Sequence, residues 1–474
     1  MSAPLRQPAP RQPRIAGSRF ALVAGDLAAI LLAVVLALGI WVIVDGRGLG
    51  LPFILKHLYW FPILAGLWLA LAHANDFYNR RFSARLDASL LRLGQVTLQL
   101  VIVYLVIFFL SPRDALPRLF ILYYAALSFL LIAAWRAVGP PTLRRTGAAR
   151  RALVVGNGPA ARTLIETLRA EAPGDYALAG VIVEPGTSLA PDFPLAPVIG
   201  SASDLPEIAG REQITEIILA QEGDLSAALF RALMDCTERG YRVVPMPLLY
   251  EQITGRVPVE HVDQRTWTAM LPVETNALFD PYPAVKRFID VTLALIGLAL
   301  FLPALPAIAL AIRLDSAGPV FFRQARIGQG GQVFQIVKLR SMIHHAEQIT
   351  GPTWAADSDP RITRVGRFLR KTRLDELPQL VNVLRGEMSL IGPRPERPEF
   401  VARLSENLPF YRARHAVKPG ITGWAQVRYP YGNSEQDALI KLQYDLFYIR
   451  HRSLALDLLI LLRTLGKMIS MQGT

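Results

Sequence analysis

The chain has 474 residues, 52% of them hydrophobic and 19% charged, with a formal net charge of +13 and a mean hydropathy of +0.31, which is high for a soluble enzyme and fits a membrane protein with basic cytoplasmic parts. The single cysteine, Cys236, excludes an intramolecular disulfide and any cysteine-based metal site. The seven histidines contain no HExxH pattern, and His344-His345 stands as an isolated pair, so a zinc site is not expected.

Residues 1–19 form a basic, proline-rich tail. The apolar run after it is too long for a cleavable signal peptide and shows no clear cleavage site, so it reads as an anchor. Four stretches, about 20–44, 51–72, 93–110 and 116–138, approach the roughly 20 apolar residues a bilayer crossing needs. They predict a four-helix transmembrane domain over 20–140. Arg6, Arg11, Arg14 and Arg19 precede the first stretch; Arg80, Arg81, Arg85 and Arg92 lie between the second and third; Arg136, Arg144, Arg145, Arg150 and Arg151 follow the fourth. The other two loops are short and poorly charged, so both ends of the bundle are expected to face the cytoplasm. Asp26, inside the first stretch, receives no role.

Over 150–250 the pattern alternates. A buried strand at 152–155 leads into Gly156-Asn157-Gly158-Pro159-Ala160-Ala161 and an amphipathic helix to about 170; further strands are predicted at 179–183, 216–220 and 241–244, with a helix at 226–239. This is the signature of a doubly wound, Rossmann-like α/β domain. Gly156, Gly158 and Ala161 fit G-x-G-x-x-A, and Glu184 ends a strand where a ribose-binding acid would sit, so a nucleotide site is one reading. The plainer reading, favoured here, is that the glycines only let the strand turn tightly into the helix.

A connector is predicted over 251–283. The apolar segment 286–313 then contains Pro303 and Pro306 and is flanked by Lys286-Arg287 and Arg313. Each proline removes a backbone donor and crowds the preceding turn. A full crossing would carry the arginine-rich C-terminal region outside, against the charge bias. A bent helix that dips into the bilayer and returns is expected instead, with Thr292 a candidate partner for a freed carbonyl. The last stretch, 454–469, sets Asp457, Arg463 and Lys467 among leucines, and fits an interfacial helix and a core helix equally well.

The chemistry concentrates at 361–395. Asp375 and Glu376 are followed by Pro378 and by Leu380, Val381 and Leu384 at helical spacing. Proline is tolerated only in a helix's first turn, which predicts Asp375 near the N-cap and Gly386 just past the end. Asp375 is then either a simple cap or an ionised nucleophile at a phosphate-binding helix start. Arg361, Arg364, Arg367, Arg370 and Arg373 precede the acids. Arg394 sits between Pro393 and Pro395, which restrict its backbone and present a planar fork suited to phosphate oxygens. Lys338 and Arg340, on a strand-like run at 333–340, either add cations to the same cleft or face solvent. Phosphoryl chemistry at a membrane surface is the reading these residues support.

Residues 284–474 resemble the catalytic domain of bacterial polyprenyl-phosphate glycosyl-1-phosphate transferases. The motifs are Lys286-Arg287-Phe288-Ile289-Asp290, the run from Gly318 to Phe322, Gln324 with Arg326 and Gly328, Lys338, Leu374-Asp375-Glu376-Leu377, and the runs from Asn382 to Ser389, Ile391 to Pro395 and Lys418 to Val427. The whole order of parts is similar to the larger, undecaprenyl-phosphate members. The resemblance implies a membrane helical bundle, a Rossmann-like α/β domain and a mixed α/β monotopic catalytic domain with a re-entrant helix broken at Pro303 and Pro306. The family often has Ser-Pro at that break, and here it is Leu302-Pro303. The implied reaction converts a UDP-sugar and undecaprenyl phosphate to an undecaprenyl-diphosphate sugar and UMP, as the first membrane step of exopolysaccharide, capsule or O-antigen synthesis. Glucose or galactose 1-phosphate is the expected group.

Carried onto this chain, Asp375 attacks the sugar-linked phosphate and forms a covalent phosphosugar intermediate. Glu376 helps hold Mg²⁺ with Asp375 or accepts the proton of the incoming lipid phosphate. Arg394 with Pro393 and Pro395, Arg370, Lys338 and Arg326 make the phosphate- and nucleotide-binding set. The resemblance places the enzyme in the bacterial inner membrane as a homo-oligomer, a dimer, with its catalytic domain on the cytoplasmic face and no nucleic-acid partner. Two other readings stand beside it. One is a membrane-anchored, NAD-dependent sugar-nucleotide dehydratase or epimerase, suggested by Gly156–Ala161 and by Tyr282-x-x-x-Lys286, although Pro283 lies inside that motif. The other is a non-catalytic scaffold.

Overall fold

The apolar periodicity changes character twice along the chain, from long unbroken runs to strand–helix alternation and then to short, polar-rich elements, and the architecture follows it. The computed structural model describes residues 15–44, 57–75, 77–78, 86–110, 120–138, 149–184, 196–262, 280–344, 359–408, 410–429, 432 and 434–469. The tail through Arg14, residues 51–56 of the second apolar stretch, Arg80, Arg81, Arg85, Arg144, Arg145, His345 and 263–279 of the connector lie outside the described residues. The chain divides into two compact units; the first runs through Arg151 and takes in Pro173–Ala177 and Gln213–Thr215, and the second holds the rest.

Among the described residues the first unit holds four helices: α1 (Ile15–Val44), α2 (Trp60–Ala74), α3 (Leu86–Leu110) and α4 (Phe120–Val138). Within them Ala21–Val44 and Phe120–Val138 are long and apolar enough to cross a membrane, while Trp60–Ala74 and Ser89–Leu105 are apolar but shorter. Asp26 on α1 is fully buried and meets Arg136 on α4 at 2.6 Å, with the guanidinium 4.5 Å from the Phe77 ring. A carboxylate in an apolar helix is costly unless paired, so this ion pair bolts α1 to α4.

The α/β segment, most of it in the second unit, begins with β1 (Arg150–Val155), which turns into α5 (Pro159–Glu171), followed by β2 (Tyr176–Val183), β3 (Val198–Ser201), α6 (Leu205–Arg211), β4 (Glu216–Leu219), α7 (Ala227–Glu238), β5 (Arg242–Pro245) and α8 (Met246–Thr254). The strands lie in the order β3-β2-β1-β4-β5, and the β1–β4, β2–β3 and β4–β5 pairs are parallel. The expectation of an α/β domain on a parallel sheet is therefore met. Gly156 sits at φ +125°, and a Cβ there would lie 2.7 Å from the Ala220 carbonyl, so the turn out of β1 needs glycine. The helix α8 carries order four residues into the segment expected as connector.

Two helices, α9 (Tyr282–Phe301) and α10 (Leu305–Asp315), meet at a 64° bend. Proline at 303 leaves the ladder one donor short. The break is closed by the backbone, Ala304 N–H to Phe301 O at 3.1 Å and Leu305 N–H to Leu302 O at 3.3 Å. No hydrogen bond ties Thr292 to it among the described residues, because a local 3₁₀-like turn already takes up the carbonyls. Pro306 lies in the first turn of α10, where no partner for its missing N–H is required.

The remaining elements are β6 (Phe321–Ile327), β7 (Val333–Leu339), α11 (Arg364–Thr372), a 3₁₀ helix (Leu374–Gln379), α12 (Leu380–Arg385), β8 (Ser389–Ile391), α13 (Pro398–Asn407), a second 3₁₀ helix (Tyr411–Ala416), β9 (Gly420–Thr422), α14 (Trp424–Arg428), α15 (Glu435–Arg450) and α16 (Leu454–Ile469). Strands β6 and β7 form an antiparallel hairpin and β8 and β9 a short parallel pair. Backbone ends are closed by side chains from far away in sequence. Arg287 on α9 donates to the carbonyls of Val383, at 2.6 Å, and Leu384, at 2.8 Å, at the end of α12. Asp290 accepts the Leu390 N–H at 3.1 Å. Tyr282 and Lys286 both reach Asp457 on α16, at 3.1 and 3.0 Å, so that tyrosine–lysine pair anchors α9 and is not a dehydrogenase dyad. Ile460 and Leu462 of α16 are buried while Leu454, Leu458 and Leu465 are exposed, so this helix has one core face and one apolar outer face.

The loop after β8 is held by backbone contact that only glycine permits. Gly392 donates to Thr422 O and Pro393 O accepts from Gly420, both at 2.9 Å; a Cβ on Gly392 would lie 2.4 Å from the Lys418 carbonyl. Gly392→Ala is expected to lower stability by about 2 kcal/mol, since overpacking against backbone has no soft neighbour to yield. A shift to lower denaturant in chemical unfolding of the detergent-solubilised chain checks this.

Candidate active site

Helix α11 ends at Arg373, which takes the left-handed conformation with φ 57° and φ/ψ typical of a glycine C-cap. For a non-glycine residue that conformation costs roughly 1–2 kcal/mol, and it serves two purposes: the Arg373 N–H closes onto Arg370 O at 3.1 Å, and the chain re-enters helix at Leu374. Asp375 and Glu376 therefore lie inside the first turn of a 3₁₀ helix whose N-cap is Arg373. The expected α-helical N-cap at Asp375 is corrected on this point; Pro378, within the 3₁₀ segment, delays the α-helix until Leu380. Gly386, at φ 82°, ends α12 as expected.

This turn is tied to β7 by Asn382. Its Oδ1 accepts the Val337 N–H at 3.2 Å, and its Nδ2 donates to Gln335 O at 2.7 Å and Glu387 Oε2 at 2.6 Å. The register brings Lys338 over the acids. Both carboxylates are buried, with Asp375 8% and Glu376 7% exposed, yet their surroundings differ. Glu376 Oε1 receives Lys338 Nζ at 3.1 Å and Arg394 Nη2 at 2.8 Å, and its Oε2 lies 3.7 Å from Arg373. Among the described residues no hydrogen bond or ion pair engages Asp375. Arg370 acts electrostatically on Asp375, and its Nη1 is buried with no hydrogen-bond partner. A buried, unpaired guanidinium nitrogen beside an unengaged carboxylate is the donor set an incoming phosphate would complete.

The charges respond accordingly. Burial, and then the neighbouring Glu376 charge, push the Asp375 carboxyl up to about 6. Burial also works to raise Glu376, but Arg394 and Lys338 outweigh it and hold that carboxyl well below the usual range. Burial lowers Lys338 despite its acidic partners. One acid is thus a fixed anion, and the other is raised from the usual carboxylate range but still ionised at neutral pH.

The other predicted site residues separate by position. Arg326 turns to the loop backbone, donating to Pro395 O at 3.0 Å and to Gln324 at 2.5 Å, with Glu396 at 3.6 Å, so it braces the segment from Pro393 to Pro395. Arg340 neither joins the cleft nor faces solvent; it is buried and caps the end of α10 through Ile312 O, Ser316 O and Ala317 O. Gly156, Gly158 and Ala161 lie on the separate parallel sheet, and Pro303 and Pro306 at the helix bend. Sequence reasoning missed Arg414, whose Nη2 donates to Asp445, at 2.7 Å, and to the carbonyl of Arg394, at 3.1 Å. Its partner is 31 residues away, and no local pattern marks the pair.

No group of three or more His, Cys, Asp or Glu residues gathers to hold a metal among the described residues. Glu376 is already saturated by cations. Asp375 is the unengaged oxygen donor, and Mg²⁺ commonly takes one or two carboxylates with substrate phosphates completing its shell. The residues fit such a shared site and do not form a protein-only cage.

Sequence profiles of two families match the chain: one described as bacterial sugar transferase over residues 281–471 and one described as a CoA-binding domain over 73–247. A UDP-glucose:undecaprenyl-phosphate glucose-1-phosphate transferase of Escherichia coli is 31% identical over 440 residues, 90% of this chain and 92% of the relative. One of the same description from Caulobacter vibrioides is 48% identical over 223 residues, 46% of this chain and 82% of the relative. A UDP-N-acetylgalactosamine-undecaprenyl-phosphate N-acetylgalactosaminephosphotransferase of Aeromonas hydrophila is 40% identical over 262 residues, 55% of this chain and 60% of the relative.

Removing the like charge should relax Asp375. In Glu376→Gln its carboxyl is expected to fall from about 6 toward the ordinary aspartate value near 4, followed by ¹³C NMR of aspartate-labelled protein; a value unchanged from wild type would show that the two carboxylates do not interact.

Proposed function

The chain belongs to the bacterial sugar transferase family, as one of its undecaprenyl-phosphate sugar-1-phosphate transferases, and from that premise we propose how its dyad works. An Asp375 carboxylate oxygen attacks the sugar-linked phosphorus of a UDP-sugar. The bond to the UMP oxygen breaks, UMP leaves, and an aspartyl phosphosugar remains. A phosphate oxygen of undecaprenyl phosphate then attacks the same phosphorus, releasing Asp375 and forming the diphosphate-linked sugar. The observation that carries this assignment is the asymmetry of two adjacent buried acids: Glu376 is clamped by Lys338, Arg394 and Arg373, whereas Asp375 is unengaged beside the unpartnered Nη1 of Arg370. A nucleophile must be free to move onto phosphorus. The role assigned to Glu376 is that of a counter-ion holding the phosphate-binding cations in place; a carboxylate kept so strongly ionised is a poor proton acceptor.

Phosphoryl transfer needs positioning and charge neutralisation above all. Arg370, Arg394 and Lys338 supply cations for the phosphate oxygens. Mg²⁺, held by Asp375 and the substrate's phosphates, would add neutralising charge to the transferring group. A lipid acceptor requires the site to lie at headgroup depth. In support, the bent pair α9–α10 and the neighbouring helices expose large apolar side chains, among them Phe288 at 71%, Leu300 at 75%, Leu314 at 79% and Phe368 at 61%. We take α9–α10 to be re-entrant, with the catalytic part on the cytoplasmic face of the inner membrane and the chain acting as a homo-oligomer. The transferred group is taken to be a hexose 1-phosphate, glucose first, as in the name of the relative aligned along most of the chain.

Membranes containing the chain, incubated with undecaprenyl phosphate and a panel of UDP-glucose, UDP-galactose and UDP-N-acetylgalactosamine, should release UMP from at least one sugar nucleotide. Asp375→Asn should abolish release, and Lys338→Met should slow it by about 10²–10³, the usual loss for one charge-stabilising donor. Mass spectrometry of a reaction quenched before acceptor is added should find the phosphosugar on Asp375. Release without that adduct would remove the covalent step, and no release from any sugar would remove the function.

A further inference from the structure

The mouth of the parallel sheet, where a doubly wound fold would receive nucleotide phosphates, is filled by the chain's own side chains. Glu222, just past β4, places Oε1 3.1 Å from the Ala160 N–H in the first turn of α5. A Cβ built on Gly158 would lie only 3.7 Å from its other oxygen. The same Oε1 lies 3.0 Å from His261 Nδ1, and His261 Nε2 lies 2.9 Å from Thr163 Oγ1. Glu184, the acid at the ribose position, accepts from Gln221 on one oxygen at 3.2 Å, while its Oε1 is buried with no hydrogen-bond partner. An anion therefore already stands at the helix start, and it is covalently part of the protein.

His261 is the far end of a strap running from Gly255, and the strap is laid on the catalytic part at each step. The Trp424 indole N–H donates to Gly255 O at 2.9 Å. The Val257 N–H donates to Gln443 O at 3.1 Å. Glu260 accepts from the Gln443 side chain at 2.7 Å. Val257 and Val259 are buried in one cluster with Trp424, Leu442, Tyr444 and Tyr448. Immediately before the strap, Glu251 on α8 holds Arg450 at 2.7 Å and His451 at 3.0 Å at the end of α15. Two residues beyond Gln443, on the opposite side of the helix, Asp445 holds Arg414, which in turn holds the Arg394 carbonyl.

We propose that the sheet's phosphate-binding end is an anchorage and not a dinucleotide site: Glu222 pins His261, and the strap so fixed positions Arg394 through Gln443, Asp445 and Arg414. The role given to Arg394 rests on the function proposed above, but the anchorage and its mechanical effect do not. His261, Glu222, Gln443 and Arg414 are positioning residues, since none of them touches a reacting atom. Placing this device in the fold explains why a nucleotide-type α/β domain is retained with its crevice closed: its rigid strand–turn–helix corner offers a fixed point outside the catalytic part.

The test uses the full-length chain in lipid nanodiscs, with wild type, His261→Ala and His261→Asn, the last keeping a donor at the Nδ1 position toward Glu222. Hydrogen exchange is measured without substrate. His261→Ala should lose about tenfold protection over 391–397 and 411–416 while strands β1 and β4 keep theirs, and His261→Asn should regain most of it. With the sugar nucleotide found active, His261→Ala should show about a tenfold fall in kcat/KM, carried in part by a KM rise of about threefold, which mere loss of folded protein would not produce. Wild type should bind neither NAD nor CoA by calorimetry. Unchanged protection in His261→Ala, equal loss in the strands, or stoichiometric binding of NAD or CoA to wild type each overturns the proposal. An inactive wild type would count against the transferase reading alone, because the exchange measurement needs no turnover.

Discussion

Burial of the Glu376 carboxylate among three cations is the interaction on which the site is built. Lys338 comes from β7, Arg394 from the loop after β8, and Arg373 from the left-handed turn before the acids. Without an anion between them these groups would repel, and without the cations a buried carboxylate would cost several kcal/mol. Each is tolerable only with the others. A consequence is the electrostatic difference between neighbours: the cations are committed to Glu376, so Asp375 feels burial and a like charge first and stays unengaged. Geometry alone separates the pair: among the described residues Glu376 is held by three cations, and Asp375, one residue away, is held by none.

That arrangement needs several chain segments held to within a fraction of an ångström. Asn382 ties α12, which follows the dyad's turn, to β7, Arg287 closes the end of α12 from α9, and the backbone pairing of Gly392 with Gly420 leaves no space for a side chain. Arg414 holds the Arg394 carbonyl from below. These contacts tie the bend between α9 and α10 to the site: α9, which leads into the bend, also supplies the arginine that closes the end of α12.

Much of this was legible in the chain before any coordinates. The strand–helix alternation, the break at Pro303, the helix stop at Gly386 and the glycine-dependent turn at 156 rest on local signals, period and proline and glycine geometry, whereas Lys338 and Arg370 joined Asp375, Glu376 and Arg394 only through the family resemblance; strand β3 and the strand order carried no such signal. The errors have local causes too. Asp375 was expected at an α-helical cap because proline marks a first turn, but a 3₁₀ turn accepts proline as well. Arg340 was left between the cleft and solvent because strand spacing alone does not decide, yet its partners are the carbonyls ending α10. Thr292 leaves the helix break alone because the backbone closes it. The buried pairs Asp26–Arg136 and Arg414–Asp445 join residues 110 and 31 positions apart, and nothing in either neighbourhood names the other member.

By itself, then, the sequence determined the class of each segment, the apolar stretches and their basic flanks, and which residue types were available for phosphate chemistry, since these depend on spacing and composition along a few turns. Only the tertiary structure decided which acid is clamped and which is free, that Glu222 and His261 meet at the start of α5, and that the Arg394 carbonyl is held by Arg414. Those outcomes depend on distances between segments far apart in the chain and on the burial their packing creates, and a charge's behaviour is set by what lies within a few ångströms of it in space.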